Sequence, residues 1–365
     1  MNKRFLALDA FRGIAAICIV VFHMHLVGAI TELGFFRGSD LFVEFFFVLS
    51  GFVLAHAYGF KNVSFKRFFI SRTFRLYPLH LFMFFLFVPL ELGKLFAFKA
   101  GIVFNTAPFT ELKALDEILP NLLFLQSWLP MYEAYSWNYP SWSLSVEYYM
   151  YMLFFLTLFI KHPIKYVVWF IISVVSFFLL MNKLGLKEEA LRGLSCFFAG
   201  SLAYLLYKNI SNKLDSLGAI FFNIAEIALL IIIFFVISYV QELKGVIASF
   251  VFVITVFIFA FERGFFGKLL TKSIFQAFGR LSYSIYMTHV AILFCVTSIP
   301  IVLAKITGSN IAPMIEDIRY LDFGSSIANN LFIGITVLTV IGCSALTYKY
   351  IEVKGQELGR KLLKK

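Results

Sequence analysis

Apolar segments of about 17–25 residues recur along the whole chain, and short charged breaks separate them. A helix of this length crosses the hydrocarbon core of a bilayer and satisfies its own backbone hydrogen bonds. The pattern predicts roughly ten spans. They lie near residues 8–30, 41–60, 77–97, 141–160, 166–182, 193–207, 217–240, 245–261, 281–304 and 326–348. We therefore expect an all-α fold, a polytopic transmembrane helical bundle.

The distribution of basic residues predicts how these spans are oriented. Every second break, from the N-terminus to the tail that begins at Lys349, is rich in Lys and Arg. These breaks hold about two thirds of the basic residues, and loops of this kind stay in the cytoplasm. Both termini are therefore expected on the cytoplasmic side, with the basic tail lying along anionic headgroups.

The stretch of residues 98–139 falls on the opposite side and does not have the pattern of a span. Its apolar piece, residues 119–129, is too short to cross about 30 Å of hydrocarbon as a helix. We expect a re-entrant or interfacial element over the mouth of the bundle.

Composition excludes several classes of protein. The 365-residue chain is 61% hydrophobic and 15% charged, whereas a soluble domain averages about 25% charged residues. The net charge of +11 lies in short loops beside apolar segments, so no nucleic-acid partner is predicted. The four cysteines fall inside apolar segments without metal-ligand spacing, and no metal site is predicted. We expect one integral-membrane domain over residues 1–365, with no appended soluble domain.

The first span carries ionisable residues at membrane depth, where they are costly and usually functional. Arg12 and His23 are about three helical turns apart, so they share one face at a separation of roughly 16 Å. Asp9 lies one turn before Arg12 and can pair with its guanidinium. His25 is turned about 200° from His23 and should face elsewhere. The alternative is a signal anchor with a snorkelling arginine and a packed histidine.

A basic stretch lies between the second and third spans. Arg72 and Arg75 are one turn apart if the stretch is helical, so both guanidiniums can point at one anionic group such as a phosphate. The alternative is that they only set membrane orientation. In the second span, Ser50 and Gly51 are expected to let two helices approach closely. His80, near a span end, has the position of an interfacial residue.

The fourth span begins with a carboxylate among polar residues. Glu147 has Ser143 and Tyr151 at i−4 and i+4 on its helical face. A carboxylate inside a membrane needs a partner, which makes it a candidate acid, base or histidine-orienting group. The alternative is a structural ion pair with a basic residue of another span.

The ninth span carries a polar stripe on an otherwise apolar helix. Ser282, Tyr286 and His289 follow one another at i, i+4 and i+7, beside Tyr283. The stripe predicts a second inward-facing histidine with hydrogen-bonding support. Functional and purely structural interpretations fit it equally well.

Taken together, these elements resemble the acyltransferase-3 family of integral-membrane acyltransferases. Five motifs follow in the family's order across nearly the whole chain. They are Arg12-(ten residues)-His23 inside Leu-Asp-x-x-Arg-Gly, Phe-x-Leu-Ser-Gly, Arg72-x-x-Arg75-Leu-Tyr-Pro, Trp142-Ser-Leu-Ser-Val-Glu147, and Ser282-Tyr-Ser-Ile-Tyr-Met-Thr-His289. Each motif alone is weak, but the five in order are specific.

The resemblance implies O-acylation, most often O-acetylation, of glycans such as lipopolysaccharide O-antigen or exopolysaccharide, at the bacterial inner membrane. It implies acyl-coenzyme A, most commonly acetyl-CoA, as a co-substrate from the cytoplasm, with no bound cofactor. The site residues then fall into three groups. They are the catalytic His23, Arg12 and Glu147; the donor-binding Arg72, Arg75 and Arg12; and the supporting Asp9, Ser143, Tyr283, Tyr286 and His289.

In this setting two mechanisms stay open for His23. Its imidazole would accept the proton of a sugar hydroxyl that attacks the thioester, or it would take the acyl group itself. Glu147 would orient a histidine or bind the acceptor, and the aromatic stretch from Trp128 to Trp142 would suit stacking against a sugar. The alternative function is a proton-coupled transporter, although no inverted repeat or pair of broken helices is visible.

Overall fold

The computed structural model describes residues 3–102, 106–214, 216–316 and 318–364, and within them the chain is a helical bundle. The helices are α1 (Leu6–Phe22), α2 (Gly34–Arg37), α3 (Phe42–Tyr58), α4 (Phe65–Lys99), α5 (Ile118–Leu122), α6 (Ser141–Thr157), α7 (Ile164–Met181), α8 (Glu188–Leu214), α9 (Ala219–Tyr239), α10 (Lys244–Phe259), α11 (Phe265–Leu270), α12 (Ser273–Thr307), α13 (Ser326–Thr347) and α14 (Val353–Leu362). A π-helical turn, Tyr348–Glu352, joins α13 to α14. Strands β1 (Met314–Ile315) and β2 (Ile318–Arg319) form an antiparallel hairpin before α13.

The helical segments confirm the all-α prediction, and each expected span corresponds to one of the longer helices. Seven segments of the described chain are long and apolar enough to cross a membrane. They are Ser39–Tyr58, Phe65–Lys99, Ile164–Met181, Glu188–Leu214, Ala219–Tyr239, Ser273–Thr307 and Ser326–Leu362. The helices α1, α6 and α10 are shorter, with 17, 17 and 16 residues. The count of ten spans and the side of the termini stay predictions.

Two helix boundaries differ from the apolar pattern in ways that affect the site. Helix α1 ends at Phe22, well before residue 30, so its helical wheel does not extend to His25. Helix α4 begins at Phe65, and its N-cap Ser64 accepts a hydrogen bond from the backbone N–H of Arg67 at 3.4 Å. Hydrophobicity reports where a helix contacts lipid, whereas capping decides where it starts. Arg72 and Arg75 therefore lie on a helix, one turn apart.

Glycines allow the central helices to pack backbone against backbone. A Cβ on Gly51 of α3 would overlap the carbonyl of Phe197 in α8, which confirms the close approach expected there. A Cβ on Gly13 of α1 would likewise overlap the backbone of α12, near Gly279. Small residues of this kind are the usual means of close helix contact in membranes. The α1–α12 contact brings two of the predicted polar motifs together.

The described part of residues 98–139 forms irregular backbone with short helical turns at one end of the bundle, here called the loop end. Buried side chains near the end of α4 hold it in place. Glu91 accepts a hydrogen bond from Phe109 N at 3.2 Å, and Lys94 donates one to Thr106 Oγ1 at 2.8 Å. No long helix occurs here, as expected.

The aromatic stretch of the loop end packs inside the protein. Trp137 and Trp142 are only 1% and 4% exposed, and Trp128 donates its Nε1–H to the carbonyl of Ser145 at 3.0 Å. Sugar stacking on the two buried indoles is therefore wrong for this structure. His80 is also fully buried, beside the carbonyl of Asn121 at 3.0 Å, so it is not interfacial. The local sequence could not predict that these side chains are buried, because the residues that cover them come from distant parts of the chain.

Candidate active site

A cavity of about 310 Å³ lies among α1, α3, α4, α6 and α12, towards the end of the bundle that holds the chain termini. We call it the arginine cavity because four arginines line it, namely Arg4, Arg12, Arg72 and Arg75. Its carboxylates are Asp9 and Glu147. Four guanidiniums against two carboxylates leave an excess of positive charge, and such a site attracts anions.

Arg12 is held across the contact between α1 and α12. Its Nε donates to Ser282 Oγ at 2.7 Å, and its Nη2 donates to the carbonyl of Gly279 at 3.1 Å. Asp9 lies 3.7 Å from the Arg12 guanidinium, but its closer partner is Arg4 Nε at 2.7 Å. Two helices therefore orient Arg12, and Asp9 is shared between two guanidiniums.

The two arginines of α4 keep hydrogen-bonding capacity for a ligand. Arg72 donates from Nη2 to Tyr58 OH at 2.9 Å, and its guanidinium lies over the rings of Tyr58 and Tyr151. Its Nε is buried and has no hydrogen-bond partner among the residues that the structure describes. Arg75 makes no hydrogen bond with any described residue, although it faces the same cavity. An uncommitted guanidinium can bind a phosphate with two parallel hydrogen bonds.

Glu147 lies in the arginine cavity, away from both inward-facing histidines. It accepts hydrogen bonds from Tyr151 OH and from Ser50 Oγ, the second at 2.6 Å. The predicted pairing with Tyr151 is thus present. The sequence predicted only a packing role for Ser50, but its hydroxyl donates a hydrogen bond to this carboxylate. No histidine among the described residues is hydrogen-bonded to Glu147, so the structure does not support a histidine-orienting role for this carboxylate.

Ser143 and Tyr286 form a wall at the far side of the arginine cavity. Ser143 Oγ donates to Tyr286 OH at 2.9 Å, and Tyr286 lines both this cavity and a second one of about 80 Å³ that contains His23. Tyr283 lies on the arginine side of the wall, where its OH donates to the carbonyl of Leu76 at 2.7 Å. The hydroxyl pair therefore lies between the arginine cavity and the small cavity of His23, which Asp40 and Arg192 also line.

His23 caps the C-terminal end of α1 and forms a pair with His289. The two ring centroids are 5.1 Å apart, and Tyr139 contacts His23 at the same distance. His289 Nδ1 lies 2.7 Å from the carbonyl of Tyr286, while its Nε2 is buried and has no hydrogen-bond partner within the described part of the chain. His23 makes no side-chain hydrogen bond with a described residue.

His23 also lines a larger cavity of about 350 Å³ at the loop end, the loop-end cavity. Thr110, Lys113 and Arg319 contribute polar groups to it. His25 lines the same cavity, so the expectation that it faces elsewhere is wrong. The reason is that α1 ends before it, and Arg37 holds the His25 ring with Nη1 at 3.0 Å from Nδ1.

Sequence reasoning missed several charged residues near these cavities. Glu44 of α3 and Arg192 of α8 form a buried ion pair at 2.6 Å. Glu352 of the π-helical turn accepts a hydrogen bond from Ser284 at 2.9 Å and interacts electrostatically with Arg75 and Arg12. A carboxylate inside an apolar segment was the available signal for Glu44. No local signal indicated Glu352, because it follows the last predicted span.

An apolar helical bundle around a buried, arginine-lined cavity is typical of membrane proteins that act on anionic substrates. The family model of the acyltransferase domain of the acyltransferase-3 family matches residues 5–348. The chain therefore belongs to that family and is a membrane acyltransferase. This membership agrees with the resemblance and favours an enzyme over a transporter.

Two curated relatives match parts of the chain. Protein 2 in picA locus from Rhizobium radiobacter is 37% identical over a match that covers 30% of this chain and 68% of that protein. Acyltransferase MdmB from Streptomyces mycarofaciens is also 37% identical, over 34% of this chain and 28% of that protein. No solved structure matches the chain.

Proposed function

We infer that the protein transfers an acetyl group from acetyl-coenzyme A to a hydroxyl of an envelope or exported glycan, in the bacterial inner membrane. The observation that carries this proposal is the arrangement of two separate sites along α1. Arginines surround one end of the helix, and His23 lies at the other end, beyond the Ser143–Tyr286 wall. If both termini face the cytoplasm, as the distribution of Lys and Arg predicts, the arginine cavity opens on the donor's side.

Donor binding rests on the charge of the arginine cavity. Coenzyme A carries several phosphate charges, and Arg72 and Arg75 offer guanidinium donors on one helical face. Arg12 is fixed by Ser282 and Gly279, so its remaining donors point along a defined direction. It would bind a phosphate group of the donor.

The chemical step is assigned to His23 in either of two forms. In the first, its imidazole removes the proton of the acceptor hydroxyl while that oxygen attacks the thioester carbon, and the C–S bond breaks to release the thiol after protonation. In the second, a ring nitrogen attacks first and carries the acyl group to the acceptor. Both forms need a neutral imidazole, and no carboxylate among the described residues contacts the His23 ring to stabilise its cation.

The acceptor is assigned to the loop-end cavity. His23 lines it together with Thr110 and Lys113, and its volume of about 350 Å³ accommodates a sugar unit. This cavity lies on the opposite side of the wall from the arginines. A glycan hydroxyl would therefore approach His23 from the loop end, and the thioester of the donor would approach it past Tyr286, which lines both the arginine cavity and the small cavity of His23.

The proposal is tested by the release of coenzyme A thiol from acetyl-CoA by purified protein, with and without a bacterial envelope glycan. Acetyl transfer should appear as a mass increase on the glycan. A protein that cleaves no thioester under either condition would overturn the proposal. Incubation with donor alone then separates the mechanisms, because an acetyl group recovered on His23 indicates the covalent route.

A further inference from the structure

A polar groove lies between α4 and α14, beside the arginine cavity. Its volume is about 180 Å³, and Ser71, Arg72, Arg75, Gln356 and Arg360 contribute its polar lining. Arg72 and Arg75 line the cavity as well as the groove. The two spaces therefore meet at the same pair of guanidiniums.

Two glycines determine how closely α14 approaches α4. Gly355 packs against the ring of Pro78, and Gly359 packs against the side chain of Phe74; a Cβ at either glycine would overlap these atoms. The glycines are four residues apart and share one face of α14. This contact holds α14 close enough for its neighbouring face to form one side of the groove.

That neighbouring face carries a polar row at i, i+4 and i+8. The row begins at the buried Glu352, whose Oε1 accepts a hydrogen bond from Gln356 Nε2 at 3.2 Å. It ends at the exposed Arg360, which makes no ion pair or hydrogen bond with a described residue. Polar groups thus run from the arginine cavity to the surface, with a cation at the exposed end.

We propose that this groove is a phosphate subsite, where Arg360 and the two arginines of α4 bind the nucleotide phosphates of the donor. The inference rests on the proposed function and extends it to α14, which lies beyond the matched family domain. Three guanidiniums converge on a space of phosphate size, and planar guanidinium groups suit phosphate oxygens. The thioester end would then extend past Arg72 and Arg75 into the arginine cavity.

The test compares two donors in Arg360→Ala, Arg360→Lys and wild-type protein. Acetyl-CoA carries the nucleotide phosphates, whereas acetyl-pantetheine lacks the nucleotide. For Arg360→Ala, the KM for acetyl-CoA should rise about tenfold, the effect of losing one charged hydrogen bond. The KM for acetyl-pantetheine should not change, and lysine at this position should restore part of the loss.

Lys354→Ala is the matched control, because Lys354 lies on the same helix, is exposed, pairs with Glu357 at 3.5 Å and does not line the groove. It should leave both KM values unchanged. An equal KM change for the two donors, or no change for either, would contradict the subsite. Thermal unfolding of each variant checks that α14 remains docked.

A lipid headgroup presents the same phosphate chemistry, and a second arm distinguishes it. The assays are repeated in detergent alone and with added phosphatidylglycerol. If Arg360→Ala changes only the response to this lipid, the groove binds headgroups and the donor subsite is wrong. If wild-type protein uses neither thioester, the proposed function itself fails, and the subsite fails with it.

Discussion

The arginine cavity and the surroundings of His23 occupy opposite ends of α1 and differ in almost every physical property. The arginine cavity brings four guanidiniums and two carboxylates together, and three of these six groups, Arg12, Arg72 and Glu147, are hydrogen-bonded to neighbouring helices. Around His23 lie the rings of Tyr139 and His289, and the small cavity beside it is also lined by Asp40 and Arg192. The first cavity has an excess of guanidinium groups, whereas charges of both signs and aromatic rings surround His23.

This contrast explains why one protein would need two sites. A polyanionic donor gains most from fixed cations, but a cationic environment would disfavour the imidazolium that forms during proton transfer. The arginine cavity and His23 lie at opposite ends of α1, and the hydrogen-bonded side chains of Ser143 and Tyr286 lie between them. The separation also predicts that substitutions on the two sides affect different kinetic constants.

The largest effect is expected at His23. Replacing His23 with Ala should lower acyl transfer at least about 100-fold, because it removes the proposed base or nucleophile. The KM for acetyl-CoA should stay unchanged, since the arginine cavity is intact. His56→Ala is the control, because His56 hydrogen-bonds to Tyr204 and Lys3 outside both cavities. Near-normal turnover of His23→Ala would move the chemistry to His289 or elsewhere.

A smaller effect is expected from the two arginines of α4. The double replacement of Arg72 and Arg75 by Ala should raise the KM for acetyl-CoA by roughly 10- to 100-fold, the loss of one or two charged hydrogen bonds. The KM for the acceptor should change much less. Arg75→Lys should restore only part, because an ammonium cannot make the paired contact. Lys66→Ala, at an exposed position outside the cavity, is the control.

Opening the wall should mix the two environments. Tyr286→Ala removes the side chain that lines both the arginine cavity and the small cavity of His23. Water could then reach the thioester of the bound donor. Hydrolysis of acetyl-CoA without acceptor should therefore increase severalfold, measured as thiol release. Tyr286→Phe keeps the ring and removes only the hydrogen bond from Ser143, so it should increase hydrolysis less. Equal hydrolysis in all three proteins would show that the wall does not separate donor from water.

The smallest effect is expected from pH at the loop-end cavity. Burial beside Phe87 lowers the pKa of Lys113 to about 8, so its charge is present at pH 7 and largely lost at pH 9. The KM for an acidic glycan should therefore rise roughly two- to fivefold over this range, the size of a modest charge interaction. Lys113→Met should remove the dependence, and the exposed Lys99→Met should keep it. A KM that depends on pH equally in both variants would contradict the assignment.

Much of the molecule could be predicted from local patterns. Long apolar segments can exist in a bilayer only as helices or closed barrels, so the all-α bundle follows from their length. Charges placed inside such segments are costly, which is why Arg12, His23 and Glu147 stood out. Helical spacing was also sufficient to pair Glu147 with Tyr151, because residues four apart lie on one face.

The partition of these residues between two sites depends on which helices meet, and local spacing carries no information about that. Glycine contacts join α1 to α12, which sets Ser282 against Arg12, and packing of α6 against α12 places Ser143 on Tyr286. Contacts with α3 and α4 hold Glu147 in the arginine cavity through Ser50 and cover Trp137 and Trp142. The contacts that α12 makes with Arg12 and Ser143 join residues more than one hundred positions apart. The spacing of polar and apolar residues along one helix predicts which of its side chains share a face. It does not predict which other helix packs against that face.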